Sequence, residues 1–303
     1  MGRPEREQPG ARLWITNSSR GAVVSGQARR IAVVAPASRL SFEASDRVRA
    51  LAATLYPDRT PEIFFHPQCQ AQSGHFAGDD AARAEAFIEV ANDERFEAVW
   101  FARGGYGSGR LAEMVLPRLS DTASRKVYLG YSDAGALLAA LYRAGFCGVA
   151  HGPMPQDVLR DGGEAAIARA LAWLVDRDPA ALEPSLDGSH KAAAFNIAIL
   201  SSIVGTPLQP DLSGHVLMLE EVSEPMYRID RDLFHITANA EIRRVAGLRL
   251  GRCSAIPHND PDFGMTEDEV ALYWCRRSGI AWLGRADIGH DVDNKIVPYG
   301  DCR

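Results

Sequence analysis

From residue 31 onward, apolar and polar positions fall into two alternating periods. Residues 31–35, Ile-Ala-Val-Val-Ala, make a short apolar run that stops at Pro36 and predicts a buried strand. Ser41 or Ser45 is placed to cap the helix that follows, up to Tyr56-Pro57. Residues 63–65 predict a second strand. Asp79-Asp80 opens a helix with Ala82, Ala86, Phe87 and Val90 on one face. Further strands are predicted at 98–101, 127–129 and 147–150. A glycine-rich loop, 103–109, follows the first of these. A helix over 134–144, closed by Gly145, separates the other two. This alternation predicts a parallel sheet covered by helices on both faces, with ligands at the carboxyl ends of its strands.

The second half is looser. A helix is predicted over 165–175. Residues 176–189 hold Pro179, Pro184, Gly188 and several Asp, and form the best candidate linker. Beyond it, 196–204 reads as a helix stopped by Gly205, and 216–219 as a strand running into Glu220-Glu221. Residues 227–238 read as an amphipathic helix, and Thr266 is placed to cap a helix toward Arg277. The expected division is therefore an extension over 1–29, a first α/β domain over 30–178 and a smaller α/β domain over 179–303. The extension carries Arg3, Arg6, Arg12, Arg20 and Arg29 among Gly, Ser and Glu without clear periodicity, and is expected to be loosely ordered.

Composition narrows the function classes. Hydrophobic residues make up 46% and charged residues 24% of the 303, as in a soluble globular protein. The net charge is -6 with no Lys/Arg-rich stripe, so nucleic acid is not an expected partner. No apolar run reaches the roughly 18 residues that span a bilayer, and the N-terminus lacks a secretory apolar region, so neither a membrane nor export is expected. Cys69, Cys147, Cys253, Cys275 and Cys302 are odd in number and widely spaced, which fits free thiols in the cytoplasm.

Four segments carry candidate chemistry. Gly130-Tyr-Ser-Asp133 lies between a strand and a helix. Ser132 at such a turn exposes its hydroxyl above the sheet edge, and the Asp133 N–H at the helix start can face an oxyanion. The plainer alternative is that Ser132 caps the helix. The loop Arg103-Gly-Gly-Tyr-Gly-Ser-Gly109 admits three readings: a phosphate cradle, the second half of an oxyanion hole, or a flexible turn. His290, in Gly289-His290-Asp291, is a candidate base, and His151, in His151-Gly-Pro153, is its rival. The other histidines, His66, His75, His190, His215, His235 and His258, show no metal-ligand spacing. Glu220 and Glu221 sit at a strand end, where acids are often a solvated edge. Alternation puts them on opposite faces, so only one can orient a histidine.

In this order and spacing the segments resemble the LD-carboxypeptidase family of serine peptidases, the murein tetrapeptide carboxypeptidases. The resemblance spans about residues 30–300. It includes Ile31-Ala-Val-Val-Ala-Pro-Ala-Ser38, Trp100-Phe-Ala-Arg-Gly-Gly-Tyr-Gly107, Gly130-Tyr-Ser-Asp133, His151-Gly-Pro-Met154, Gly205-Thr-Pro207, Leu219-Glu-Glu-Val222 and Gly289-His290. It implies a flavodoxin-like first domain and a smaller α/β second domain that can include barrel-like strands. It also implies a catalytic triad of Ser132, Glu220 and His290 facing across a cleft, with Glu221 where the family usually has Asp. Asp133, with Gly104 or Gly105, would supply the oxyanion hole. Arg103 is the candidate for the substrate carboxylate on position alone. The implied substrate is a cell-wall-derived tetrapeptide, cut before its terminal D-alanine during recycling, with no metal or cofactor required. A homodimer is a family-based expectation. Two rivals stand beside this reading: an immunity-type hydrolase of aminoacyl-nucleotide antibiotics of the microcin C class, and a non-catalytic small-molecule binder. Two departures are visible. Ala194-Phe-Asn196 replaces the usual Gly-Gly-Asn, and the chain stops at Arg303, so a final edge strand is expected to be missing or short.

Overall fold

The computed structural model describes residues 28–301. The first sheet contains β1 (Arg30–Val34), β2 (Glu62–Phe65), β3 (Ala98–Phe101), β4 (Val127–Gly130) and β5 (Val149–His151). The second contains β6 (Lys191–Asn196), β7 (His215–Val222), β8 (Gly247–Ser254) and β9 (Trp282–Arg285), and β10 (Val297–Pro298) belongs to the first. The helices, in chain order, are α1 (Phe42–Leu55), α2 (Asp80–Asn92), α3 (Ala112–Val115), α4 (Asp121–Ser124), α5 (Ala134–Arg143), α6 (Gly163–Leu171), α7 (Ile197–Ile203), α8 (Met226–Ala238) and α9 (Glu267–Ser278).

The first sheet runs β10-β5-β4-β3-β1-β2, with β1 to β5 mutually parallel and β10 antiparallel to β5. The 2-1-3-4-5 order of its parallel strands is the flavodoxin-like order, whose switch point lies between β1 and β3. Fully buried runs such as Ala98–Phe101 show why the strands read as continuous apolar segments: both faces are covered. The caps follow local chemistry. Ser41 accepts from the Ala44 N–H, Asp79 from Ala82, and Thr266 from Glu269, each relieving an orphan donor of the helix it starts.

The second sheet, β6-β7-β8-β9, is wholly parallel, with β6 and β9 at its edges rather than closed as a barrel. Its strands alternate with α7, α8 and α9. Leu217 and Leu219 pack into the large core shared with α5, α7 and α8. Met218 joins a smaller cluster with Ala192, Ala194, Ile288 and Val297. The two sheets are therefore built against each other. α5 of the first packs on α7 of the second, and β10 returns from the second half to pair with β5.

Several expectations change. Asn196, expected to start a helix, ends strand β6 (Lys191–Asn196), and the helix begins only at Ile197, capped by Asn196, which accepts from the Ile199 N–H. Within the candidate linker, Glu183 is buried, accepts from the Ser185 and Asp287 N–H groups, and itself donates its N–H to the Ile296 carbonyl, while Pro184 and residues 187–189 are exposed. The final edge strand is short, as expected: β10 has two residues. The expected extension lies outside the described residues apart from Ala28 and Arg29, and Arg29 pairs with Glu97 at 3.1 Å. Among the described residues no helix is long and apolar enough to cross a membrane.

Candidate active site

Ser132 follows β4 by two residues with φ 57°, a left-handed conformation that a serine adopts at a cost. The helix-capping alternative is not what the geometry shows. Asp133 occupies the cap position of α5 and no side chain bonds there, so the Ser132 hydroxyl is not spent on the helix. Gly104 lies against it. A β-carbon at Gly104 would stand 2.9 Å from Ser132 Oγ, so only glycine leaves the hydroxyl room.

The glycine loop is held by Asp133 in a way its sequence did not announce. The buried carboxylate accepts from the Gly107 N–H at 3.1 Å and the Ser108 N–H at 2.9 Å. Burial pushes its pKa up, against the pull of these two donors. From the other side the buried Arg83 guanidinium donates to the Gly107 carbonyl at 3.0 Å. The loop is thus fixed while the N–H groups of Gly104, Gly105 and Asp133 engage no backbone acceptor among the described residues. No Walker lysine accompanies it, and what the loop borders is Ser132.

Glu220 and His290 come from distant parts of the second half. β7 places Glu220 on the face of Met218, and a β-bulge in β8 opposite it brings in Gly251 and Arg252. Gly251 is a requirement of that approach: a β-carbon there would lie 3.0 Å from Glu220 Cβ and 2.7 Å from the Ile288 carbonyl. His290 Nδ1 lies 2.5 Å from Glu220 Oε2. A carboxylate only accepts, so Nδ1 carries the proton and Nε2 is left with its lone pair. Nε2 has no hydrogen-bond partner among the described residues. Burial pulls the imidazole's pKa down, but the charge and hydrogen bond of Glu220, with Glu221 further off, outweigh it and leave the group above its ordinary value. The loop carrying His290 is clamped by Arg252, which pairs with Asp287 at 2.5 Å and bidentately with Asp291.

Neither acid is a solvated edge; both are buried. Glu221 faces the helix side, as alternation requires. It accepts from Asn196 Nδ2 at 2.6 Å and from the N–H groups of Ala198 and Val222 at 2.9 and 2.8 Å, so it anchors the start of α7. Burial raises its pKa to about 7. His151 is buried too, bonded through Nε2 to Asn294 Oδ1 at 3.2 Å and packed edge-on against Tyr131. Burial lowers its pKa to about 4. Asn294 Oδ1 also accepts from the Gly289 N–H, so His151 supports the His290 loop rather than reaching Ser132.

A cavity of about 420 Å³ brings these residues together. Its wall includes Gly104, Gly105, Ser132 and His290, with Arg103, Tyr131, Asp157 and Arg160. Arg103 is exposed and has no ion-pair partner among the described residues, where its guanidinium makes a long hydrogen bond to the Arg39 carbonyl, 3.5 Å. Sequence reasoning missed Tyr131, Asp157 and Arg160. The i, i+3 spacing of Asp157 and Arg160 predicts their ion pair, at 3.0 Å, but nothing local predicts that it reaches the cavity.

A two-sheet α/β protein that sets a serine in left-handed backbone and a carboxylate-held histidine on one cavity wall has an arrangement on which hydrolases are built. The particular family is shown by comparison. Residues 31–152 match the LD-carboxypeptidase N-terminal domain and residues 192–302 the LD-carboxypeptidase C-terminal domain, and the chain belongs to the LD-carboxypeptidase family. The murein tetrapeptide carboxypeptidase of Pseudomonas aeruginosa is 26% identical over 89% of this chain and 91% of its own. A relative from Synechocystis sp. is 31% identical over 79% of each. Among solved structures, a muramoyltetrapeptide carboxypeptidase from Oxalobacter formigenes superposes with a TM-score of 0.74 at 24% identity, covering 89% of this chain and 92% of that one. MccF in complex with glutamyl sulfamoyl guanosine gives 0.74 at 16% identity, covering 91% and 92%. At these identities the structures establish the shared fold.

Proposed function

We propose that this peptidase is a serine-type LD-carboxypeptidase that releases the terminal D-alanine from cell-wall-derived tetrapeptides in the cytoplasm. The observation that carries the reading is the Glu220–His290 pair at 2.5 Å, with His290 and Ser132 on the same cavity wall. His290 Nε2 takes the Ser132 hydroxyl proton as Oγ attacks the carbonyl carbon of the bond to be cut. The N–H groups of Asp133 and Gly104 or Gly105 hold the resulting oxyanion. The intermediate collapses, the C–N bond breaks, and His290 returns the proton to the leaving amine of D-alanine. Water, activated by the same imidazole, then hydrolyses the acyl-enzyme. Arg103 binds the carboxylate that marks the peptide's end; its planar fork suits a bidentate contact. The free thiols Cys69, Cys147, Cys253 and Cys275 support a reducing compartment.

A second reading, hydrolysis of an aminoacyl-nucleotide, is favoured by one observation. Tyr106, which follows the cavity-lining Gly105 in the chain, is 58% exposed, an aromatic ring on which a base can stack. Tyr131, the ring in the wall itself, is buried. Incubating the purified chain with an L,D-tetrapeptide and, separately, with an aminoacyl sulfamoyl nucleoside, and weighing the products by mass spectrometry, separates the two. The proposal expects D-alanine from the first. Cleavage of the nucleoside alone overturns it in favour of the second reading, and turnover of neither leaves a binder.

A further inference from the structure

We propose that Arg160 is a positioning residue that sets the base His290 against the nucleophile Ser132 across the junction of the two sheets. The inference rests on the serine-peptidase reading above. Arg160 stands in the first half of the chain, after β5, and His290 follows β9 of the second sheet. One guanidinium reaches three ways. Its Nε donates to Asp157 Oδ1 at 3.0 Å, its Nη2 to Tyr131 Oη at 3.3 Å, and its Nη1 to the main-chain carbonyl of His290 itself. Tyr131 is the residue before Ser132, and its ring centroid lies 4.8 Å from that of His290.

The anchor for this bridge is Asp157. Its Oδ1 also accepts from Tyr131 Oη at 2.9 Å, and its Oδ2 accepts from the Met154 N–H at 2.9 Å. A planar fork held at all three nitrogens cannot slide, so a displacement of the His290 loop relative to Tyr131 breaks bonds rather than bending them. Such fixing matters because a general base must approach its target within about 2.6–3.2 Å. Tyr131, Asp157, Arg160 and His290 all line the same cavity, so the bridge is part of the site's wall.

Charge adds a second consequence. The groups around the imidazole are Glu220 and Glu221 on β7, Tyr131 and Asp157 beside the first sheet, His151 at the end of β5, and Asp291, which Arg252 neutralises. Glu220 and Glu221 favour the protonated imidazole and Arg160 disfavours it. Removing the Arg160 charge thus raises the pH needed for a neutral base.

The test uses the full chain with the tetrapeptide as probe, comparing Arg160→Gln, Arg160→Lys and Tyr131→Phe. For Arg160→Gln, kcat is expected to fall about 10–100-fold while KM changes less than about threefold. The acid limb of kcat/KM should move up by about half a pH unit or more. Arg160→Lys keeps the charge but not the fork, so its limb stays in place while kcat falls. An unchanged kcat in Arg160→Gln overturns the proposal. So does a tenfold or greater rise in KM with kcat and limb unmoved, which would make Arg160 a substrate contact. If Arg160→Gln does not fold, Tyr131→Phe decides: a kcat lowered about threefold or more at constant KM supports the bridge, and wild-type kcat overturns it. Ser132→Ala and His290→Ala are assayed alongside. Wild-type turnover in these would fell the underlying reading, whereas their inactivity with an unaffected Arg160→Gln fells only the inference.

Discussion

At the scale of single residues, substituting the two adjacent acids of β7 separates their roles. Glu220→Gln leaves His290 facing an amide that cannot stabilise an imidazolium, and activity should fall by about 10²-fold or more. Glu221→Gln disturbs the start of α7, so a lowered urea midpoint is expected with most activity kept. The reverse ranking in a kcat assay would reassign the triad. Alternation along the strand shows only that the two acids face opposite sides; the choice of Glu220, and the order Ser132, Glu220, His290, rest on the family resemblance. The Arg160 and Arg252 clamps were not legible, because each acts on a residue far away in the chain and no local pattern marks it. Protonation has a signature of its own. The raised pKa of His290 places the acid limb of kcat/KM above pH 6.5, since the base must be neutral. His151 works oppositely and on stability. Its folded pKa is lowered from 6.5 to about 4, so the unfolded chain takes up a proton first as pH falls. Its contribution is therefore lost between pH 6.5 and about 4, by about 3 kcal/mol in all. In His151→Gln that part of the pH dependence of urea unfolding should vanish; an unchanged slope would show the buried imidazole is not its source.

At the scale of elements, the site depends on places where regular structure is interrupted. The bulge in β8 and the turn after β4 each need a glycine close by, Gly251 and Gly104. Gly104→Ala puts a methyl against Ser132 Oγ, with side chains rather than backbone as its neighbours. It should cut kcat/KM about tenfold or more while the thermal midpoint hardly moves; full activity would mean the hydroxyl is not used where it stands. The same interruptions explain which elements could be read in advance. β1 to β5 are apolar runs bounded by turn residues, so they stood out. β6 is Ala-rich and runs straight into the cap of α7, so the pattern at its last residue, Asn196, reads as the start of a helix. β8 carries Arg249, Gly251 and Arg252, which break the alternation a strand should show, and β9 is four residues with a glycine inside. Their burial is decided by partners, not by their own composition.

At the scale of the whole molecule, the two sheets are joined by the return of the chain. β10 pairs with β5, Ala192 bridges Gly300, and Tyr299 Oη donates to the Ala194 carbonyl at 2.6 Å from a fully buried ring. A two-residue strand carries no periodicity, so this closure was invisible in the sequence, although the doubly wound first half was plain. Tyr299→Phe should lower unfolding stability by about 1 kcal/mol with kcat near normal, because the bond lies away from the cavity. Loss of activity at constant stability would instead tie this joint to the chemistry. The account as a whole stands on Ser132 attacking an L,D-peptide bond. Its most direct measurement is D-alanine release from the tetrapeptide by the wild-type chain and by Ser132→Ala, each checked for the same folded spectrum. The account predicts steady release by the first and a rate lower by roughly 10³-fold or more in the second. Equal rates, or no release by either, would contradict it.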